Sequence, residues 1–309
     1  MIKGTYIFYQ DGVEINRSSN IITKFGKRFL TNLLAGRVSF DNKSLSFGID
    51  PTSATQNDTR LGFEFYKVPV SFGSTDIATV DGETSYAVVY KTTIPQDVSG
   101  EIYEVGLYPN SLPTLNNYDS RFLAGFDSQI DWYDSTNSSP EFTALHSRVG
   151  QNVLDMVSGV GTEKEFKTNI NTLDLSGYST NDTIRFSFYQ YDSSLDYITI
   201  KLYSSPSDYY SAEVPAVSVG YQISEDIFMS EFLNNPTGSP SASNITKIGI
   251  SVHPLSSQQS TIGADGLRIN DEDTFNPDFG IISRSVLGTR ISKVAGRQVD
   301  VEYRLDMAF

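Results

Sequence analysis

The sequence predicts an all-β chain: a β-sandwich domain with one short helix, interrupted by an inserted β jelly-roll domain. Three observations carry this. The chain ends on a run in which Val299, Val301, Tyr303, Leu305 and Met307 alternate with Asp300, Glu302, Arg304 and Asp306. Successive side chains of a strand point to opposite faces, so the run reads as a half-buried antiparallel strand. Tyr (18) and Phe (19) are abundant, which suits strands better than helices. Two turn-rich stretches, 109–117 and 270–278, bracket a middle block of short strand-like runs.

Taken in order, Thr5–Val13 reads as a strand, a turn at Asp11-Gly12 and a second strand. The one helix starts at Thr23, whose hydroxyl can cap a free backbone N–H. Phe25, Phe29, Leu30, Leu33 and Leu34 recur at helical spacing, and Gly36 stops it. Strand patterns follow at Ser44–Ile49, Phe63–Phe72, Tyr86–Ile94 and Glu101–Tyr108. In the middle block they recur at Ile184–Tyr191, Tyr197–Tyr203, Tyr209–Val214, Gly220–Ser224 and Lys247–Val252. Turns at Ser176-Gly177, Pro206-Ser207 and Pro236-Thr237-Gly238 separate these runs, the spacing of a sandwich or jelly roll. The middle block is bounded on both sides, so the last strand is expected to return to the first domain. The expected division is 1–117 plus 280–309 for the interrupted domain and 121–272 for the inserted one.

Charge and composition exclude several functions. The net charge is −14 over 309 residues, with no basic cluster to form a phosphate-binding stripe, so no nucleic-acid partner is expected. Without Cys there are no disulfides, thiolate nucleophiles or Cys-based zinc sites. No stretch has the apolar length of a membrane helix, and Met1–Tyr6 lacks the apolar run of a signal peptide. Synthesis in a cytosol without membrane insertion is the expectation.

Catalytic constellations are weak. Only His146 and His253 could serve as a histidine base; neither sits in a nucleophile turn, and both read as surface or loop residues. Glu101 and Glu104 would point to opposite faces of a strand. Asp300 and Glu302 share a face with Arg304, the mixture of a solvated or subunit-contacting surface. The acidic run Asp271-Glu272-Asp273 reads as solvated linker. Aromatic rings beside polar groups suit sugar recognition, and the candidates are Trp132, Tyr133 and Tyr209, with Tyr210 and Tyr221 behind them. Trp132 leads because it lies in the polar stretch Gln129–Asp134.

Three stretches then carry a resemblance. They are Ile22–Lys27 running into Leu33–Gly36, Thr52–Glu64 followed by Gly100–Tyr108, and Ser283–Leu287 followed by Lys293–Arg297 and the terminal strand. In this order they resemble bacteriophage virion structural proteins of the tail-fibre, collar and baseplate type. The middle block, through Leu173–Tyr178, Asp182–Phe186, Asn244–Ile248 and Asp265–Ile269, resembles jelly-roll modules of the carbohydrate-binding kind. The second resemblance implies a structural calcium near Asp127 and Asp265, since calcium takes several oxygen ligands.

Together these imply a non-enzymatic phage virion structural protein, located in the particle, that docks and displays a jelly-roll module. Its expected partners are other virion proteins, further copies of itself in a homo-oligomer such as a trimer, and host-surface glycan. Edge strands of the first domain, the terminal one included, are the expected docking sites. A capsid decoration protein with a purely stabilising role and a free glycan-binding module stand as alternatives, with a depolymerase third.

Overall fold

The C-terminal alternation does form a strand, and that strand is the centre of its sheet. The computed structural model describes residues 2–40, 43–80, 83–109, 122–127, 132–134, 140–270 and 280–308. The chain begins with β1 (Ile2–Gln10), β2 (Val13–Ser19), β3 (Ile21–Ile22) and α1 (Lys24–Leu34). Then come β4 (Ser44–Gly48), β5 (Glu64–Pro69), β6 (Ser71–Val80), β7 (Glu83–Ile94) and β8 (Gly100–Tyr108). The middle holds β9 (Phe122–Gly125), β10 (Trp132–Asp134), β11 (Glu141–Thr143), β12 (Val153–Val157), β13 (Lys164–Leu173), β14 (Thr183–Gln190) and β15 (Leu195–Tyr203). It continues with β16 (Tyr209–Pro215), β17 (Gly220–Ile223), β18 (Ile227–Phe228), the short α2 (Met229–Leu233), β19 (Pro236–Thr237), β20 (Ile245–Pro254) and β21 (Thr261–Asn270). The last two strands are β22 (Ser283–Lys293) and β23 (Val299–Ala308). The chain divides into two compact units, Met1–Tyr118 with Thr274–Phe309, and Asp119–Asp273. Most of both predicted linkers, the acidic run 271–273 and residues 129–131 lie outside the described residues.

The first unit is two five-stranded antiparallel sheets, ordered β2-β1-β23-β7-β6 and β3-β22-β8-β4-β5. β23 pairs with β1 on one side and β7 on the other, so Tyr303 lies between Tyr6 and Tyr90. Val299, Val301, Tyr303 and Leu305 are buried. On the outward face Thr93 donates to Asp300 (2.6 Å), Lys91 pairs with Glu302 (2.6 Å), and Arg304 pairs with Asp76 (2.7 Å). The charged face is therefore a cross-strand ladder on a central strand. This corrects the expectation that β23 offers an edge; the edges of this sheet are β2 and β6.

The predicted strand Phe63–Phe72 is two strands in different sheets. Pro69 ends β5, because a proline cannot donate to a ladder, and β6 starts two residues on in the other sheet. Inside the sandwich, the Tyr6 and Tyr303 ring centroids lie 4.8 Å apart, and the Tyr6 hydroxyl meets Ser283 Oγ at 2.7 Å.

Helix α1 starts and stops where the sequence places its ends. Thr23 Oγ1 accepts from Gly26 N at 2.9 Å, and Gly36 takes φ +68°, a conformation glycine adopts without strain. Gly26 is there because β22's approach passes directly beneath it: a Cβ would lie 2.0 Å from the Ile282 carbonyl oxygen. Gly26→Ala is expected to destabilise the protein by about 1–3 kcal/mol, through overpacking against backbone. Urea denaturation checks this, and an unchanged midpoint would refute it.

The second unit is a jelly-roll sandwich. One sheet runs β10-β13-β20-β15-β16-β19; the other runs β11-β12-β21-β14-β17, with β18 and β9 pairing β14 and β21. Trp132, Phe166, Ile198, Ile200, Ile248 and Ile250 from the first meet Phe186, Phe188, Leu267 and Ile269 from the second in one core. Among the described residues no helix is long and apolar enough to cross a membrane.

Candidate functional site

Period two decides what the six-stranded sheet presents outward. In β15, Ile198, Ile200 and Leu202 fill the core, so Tyr197, Thr199, Lys201 and Tyr203 face away from it. In β20, Ile248, Ile250 and Val252 do the same and leave Lys247, Gly249, Ser251 and His253 outside. β13 contributes Glu165, Lys167 and Asn169, and β16 contributes Tyr209, Ser211 and Glu213.

The register sets these side chains in rows across the strands. One row is Tyr133, Lys167, Gly249, Lys201, Ser211. Beside it lies Asn169, Lys247, Tyr203, Tyr209. On the other side lies Glu165, Ser251, Thr199, Glu213, followed by His253 with Tyr197. Tyr133 and Tyr209 thus stand on the same face, four strands apart, about 19 Å at the usual interstrand spacing.

At the centre of the face, the space above Gly249 is filled by its neighbours. Gly249 has no side chain, and a Cβ there would meet Glu165 Oε1 at 2.6 Å and Tyr203 Cε2 at 2.9 Å. The Glu165 carboxylate folds over it, accepts from the Tyr203 hydroxyl, and pairs with Lys167 (2.8 Å) and Lys201 (3.5 Å). Burial first, then the Glu165 carboxylate, hold the Tyr203 hydroxyl far above its ordinary pKa, so it remains a donor. Next to Gly249 along β20, Ser251 Oγ is buried and has no hydrogen-bond partner among the described residues. A buried hydroxyl without a partner is costly unless something supplies one.

Aromatic rings stand around this cluster. The Tyr203 and Tyr209 ring centroids are 4.9 Å apart. Tyr197 stacks on His253 at 4.1 Å and 13°. His253 Nε2 lies 3.0 Å from Thr199 Oγ1 and 3.2 Å from Glu163, and burial lowers its pKa. Rings for apolar contact, flanked by donors and acceptors in fixed rows, suit a ligand that is both flat-faced and rich in hydroxyls.

The predicted aromatic candidates separate by parity. Trp132 is corrected: it is 2% exposed and stacks on Phe126 at 5.1 Å, so its ring belongs to the core. Its neighbour Tyr133, one residue on, faces outward. Tyr210 likewise points inward while Tyr209 points out. Tyr221 is on the other sheet, half-buried beneath the Arg148 guanidinium at 3.9 Å.

Asp127 and Asp265 both anchor one loop, on the other sheet's outer side. Asp265 Oδ2 accepts from Arg148 N and Val149 N, each at 3.0 Å, and from the Tyr221 hydroxyl. Asp127 Oδ1 accepts from Gln151 N (2.6 Å) and Asn152 N (2.8 Å). Donors aim at these oxygens, and no group of three or more acidic or histidine side chains converges among the described residues. The pair does not fit a calcium ion in this arrangement. His146, on the same loop with φ +73°, stacks on Tyr189 at 3.6 Å and 2°.

No protein-family model matches the chain, and no curated protein matches it. Among solved structures it is similar to an exo-beta-agarase, with TM-score 0.38 and 11% identity over 50% of this chain and 26% of that one. It is similar to a family 30 carbohydrate-binding module, with TM-score 0.37 and 12% identity over 49% of this chain and 83% of that one. It is also similar to the family 11 carbohydrate-binding module from Clostridium thermocellum in complex with a beta-1,3-1,4-mixed-linked tetrasaccharide, with TM-score 0.36 and 14% identity, covering 48% and 94%.

Proposed function

We propose that residues 119–273 act as a non-catalytic carbohydrate-binding module, with the outer face of the six-stranded sheet as the binding surface. The observation that carries this is the row geometry: Tyr133, Tyr203 and Tyr209 stand in adjacent rows of one face beside Asn169, Lys167, Lys201 and Ser211, so rings and polar groups recur at fixed strand spacing. A sugar offers an apolar ring face to such rings and hydroxyls to the donors and acceptors between them. Tyr209→Ala tests the reading on a glycan array of the full chain. Binding is expected to weaken at least about tenfold, the cost of truncating an interface tyrosine. Unchanged binding, or none by the native protein, would reject it.

The finer reading is that the interrupted sandwich docks this module on a phage particle. It rests on the sequence resemblance and is supported by exposed apolar side chains on the sheet edges, Val13 on β2 and Phe72 and Ile77 on β6. Antibody labelling of intact particles tests it. Label at the tail fits a fibre or baseplate part, label over the capsid moves the protein to decoration, and no label removes the reading.

A further inference from the structure

Lysine is placed unevenly in the second unit. Residues 119–273 hold 21 Asp and Glu but only four Lys, and all four lie in the six-stranded sheet. Lys164 is occupied by the buried carboxylate of Asp134, at 2.7 Å. The other three, Lys167, Lys201 and Lys247, project from the outer face in two adjacent rows. Lys167 and Lys201 flank Gly249 on either side, and Lys247 sits two residues along β20. Lys167 and Lys201 are thus about 10 Å apart across two strand spacings, and Lys247 lies about 8 Å diagonally from each.

These charges are only partly matched. Glu165 is shared by Lys167 and Lys201, and Lys247 has no ion pair among the described residues. Each ammonium is held near a tyrosine ring: Lys167 over Tyr203 at 4.8 Å, Lys201 over Tyr209 at 5.4 Å, Lys247 over Tyr133 at 5.8 Å. Apart from Glu165, the acids of this face lie at its other end, where Glu163, Asp196 and Glu213 act on Tyr197 and His253. The face is therefore polarised, with its basic end coinciding with the tyrosine rows that run from Tyr133 to Tyr209. The unit's negative charges elsewhere do not cancel this, because salt screens exposed charges over about 8 Å at physiological ionic strength.

We infer that this face takes an anionic polysaccharide, one carrying carboxylate or sulfate groups along its chain, with the anionic groups at Lys247, Lys167 and Lys201. This rests on the carbohydrate reading above. The test is affinity electrophoresis of the full chain in gels containing polygalacturonate, dextran sulfate or a neutral mixed-linked β-glucan, at low and high salt. Retardation by a polyanion and not by the neutral glucan is expected, falling as salt rises; the retarding gel identifies carboxylate or sulfate as the preferred group. Lys247→Ala should weaken it about tenfold, as loss of a charge-assisted contact does, and Lys247→Arg should retain it. Retardation by the neutral glucan, lost in Tyr209→Ala but untouched in Lys247→Ala, would overturn the anionic inference and leave the carbohydrate reading standing. Polyanion binding indifferent to Lys247→Ala would overturn the site, and no retardation by any polymer would overturn both.

Discussion

Replacing Arg284 by Met is expected to destabilise the first unit by about 3–5 kcal/mol, the cost of leaving a buried carboxylate without its partner. Arg284 comes from β22 and is almost fully buried. Its Nε pairs with Glu104 Oε2 at 2.8 Å, its Nη1 with Asp58 at 2.8 Å, and its Nη2 donates to the Thr52 carbonyl at 3.0 Å. Glu104, on β8, is wholly buried, and its oxygens also accept from Phe63 N (2.9 Å) and Gly62 N (3.0 Å). Burial raises the Glu104 pKa, and the Arg284 charge is the largest influence opposing that. Without the guanidinium, three segments lose their common anchor: β8, β22 and the irregular stretch from Thr52 to Phe63. Urea denaturation followed by far-UV circular dichroism should show a lower midpoint. Adding Glu104→Gln should recover much of the loss, because the variant then buries an amide in place of an unpaired charge. A midpoint unmoved by Arg284→Met would mean that the backbone donors alone hold Glu104.

That cluster also shows what the sequence could and could not tell. Thr52–Glu64, Gly100–Tyr108 and Ser283–Leu287 stand out individually as patterns, yet Arg284 and Glu104 are separated by 180 residues. No periodicity announces that pairing. What was legible were the local rules: the Thr23 cap, the Gly36 stop and the alternation that buries Val301 and Tyr303. The position of β23 within its sheet was not, since period two states which face is buried and says nothing about how many neighbours a strand has. The binding face was half legible. Tyr197, Thr199, Lys201 and Tyr203 are the odd positions of a strand whose even positions are Ile198, Ile200 and Leu202, so their common face follows from the sequence. Judging single aromatics by the polarity of their neighbours instead favoured Trp132, which the pleat turns inward, over Tyr203. The convergence of Lys167, Lys201 and Gly249 needs the register of three strands, two of which, β13 and β15, are not neighbours in the sheet.

Asp265→Asn is expected to make the second unit more stable at neutral pH and to flatten its pH dependence. Asp265 is 1% exposed, and burial raises its carboxyl to a pKa of about 7; the donors Tyr221, Val149 and Arg148 oppose the shift, and Asp127 adds to it. A carboxyl whose folded pKa lies above its unfolded value holds a proton in the fold that the unfolded chain has released. Between about pH 4 and pH 7 the native state therefore binds more protons, and stability falls as pH rises through that window. A shift of this size corresponds to about 4 kcal/mol between the two ends. Asparagine is neutral throughout, and its carbonyl oxygen can still accept from Arg148 N and Val149 N, so the loop from Ser147 to Asn152 keeps its anchor. The chain has one tryptophan, Trp132, buried in this unit's core, and its fluorescence reports this unit's melting without interference from the other. Melting followed at Trp132 should show the native protein losing stability from pH 4 towards pH 7 relative to Asp265→Asn, with the two curves parallel above pH 7. The difference between the two proteins isolates Asp265 from other groups that titrate nearby, such as His253. Parallel curves across the whole window would mean that the three donors keep the carboxylate charged and that burial does not govern it.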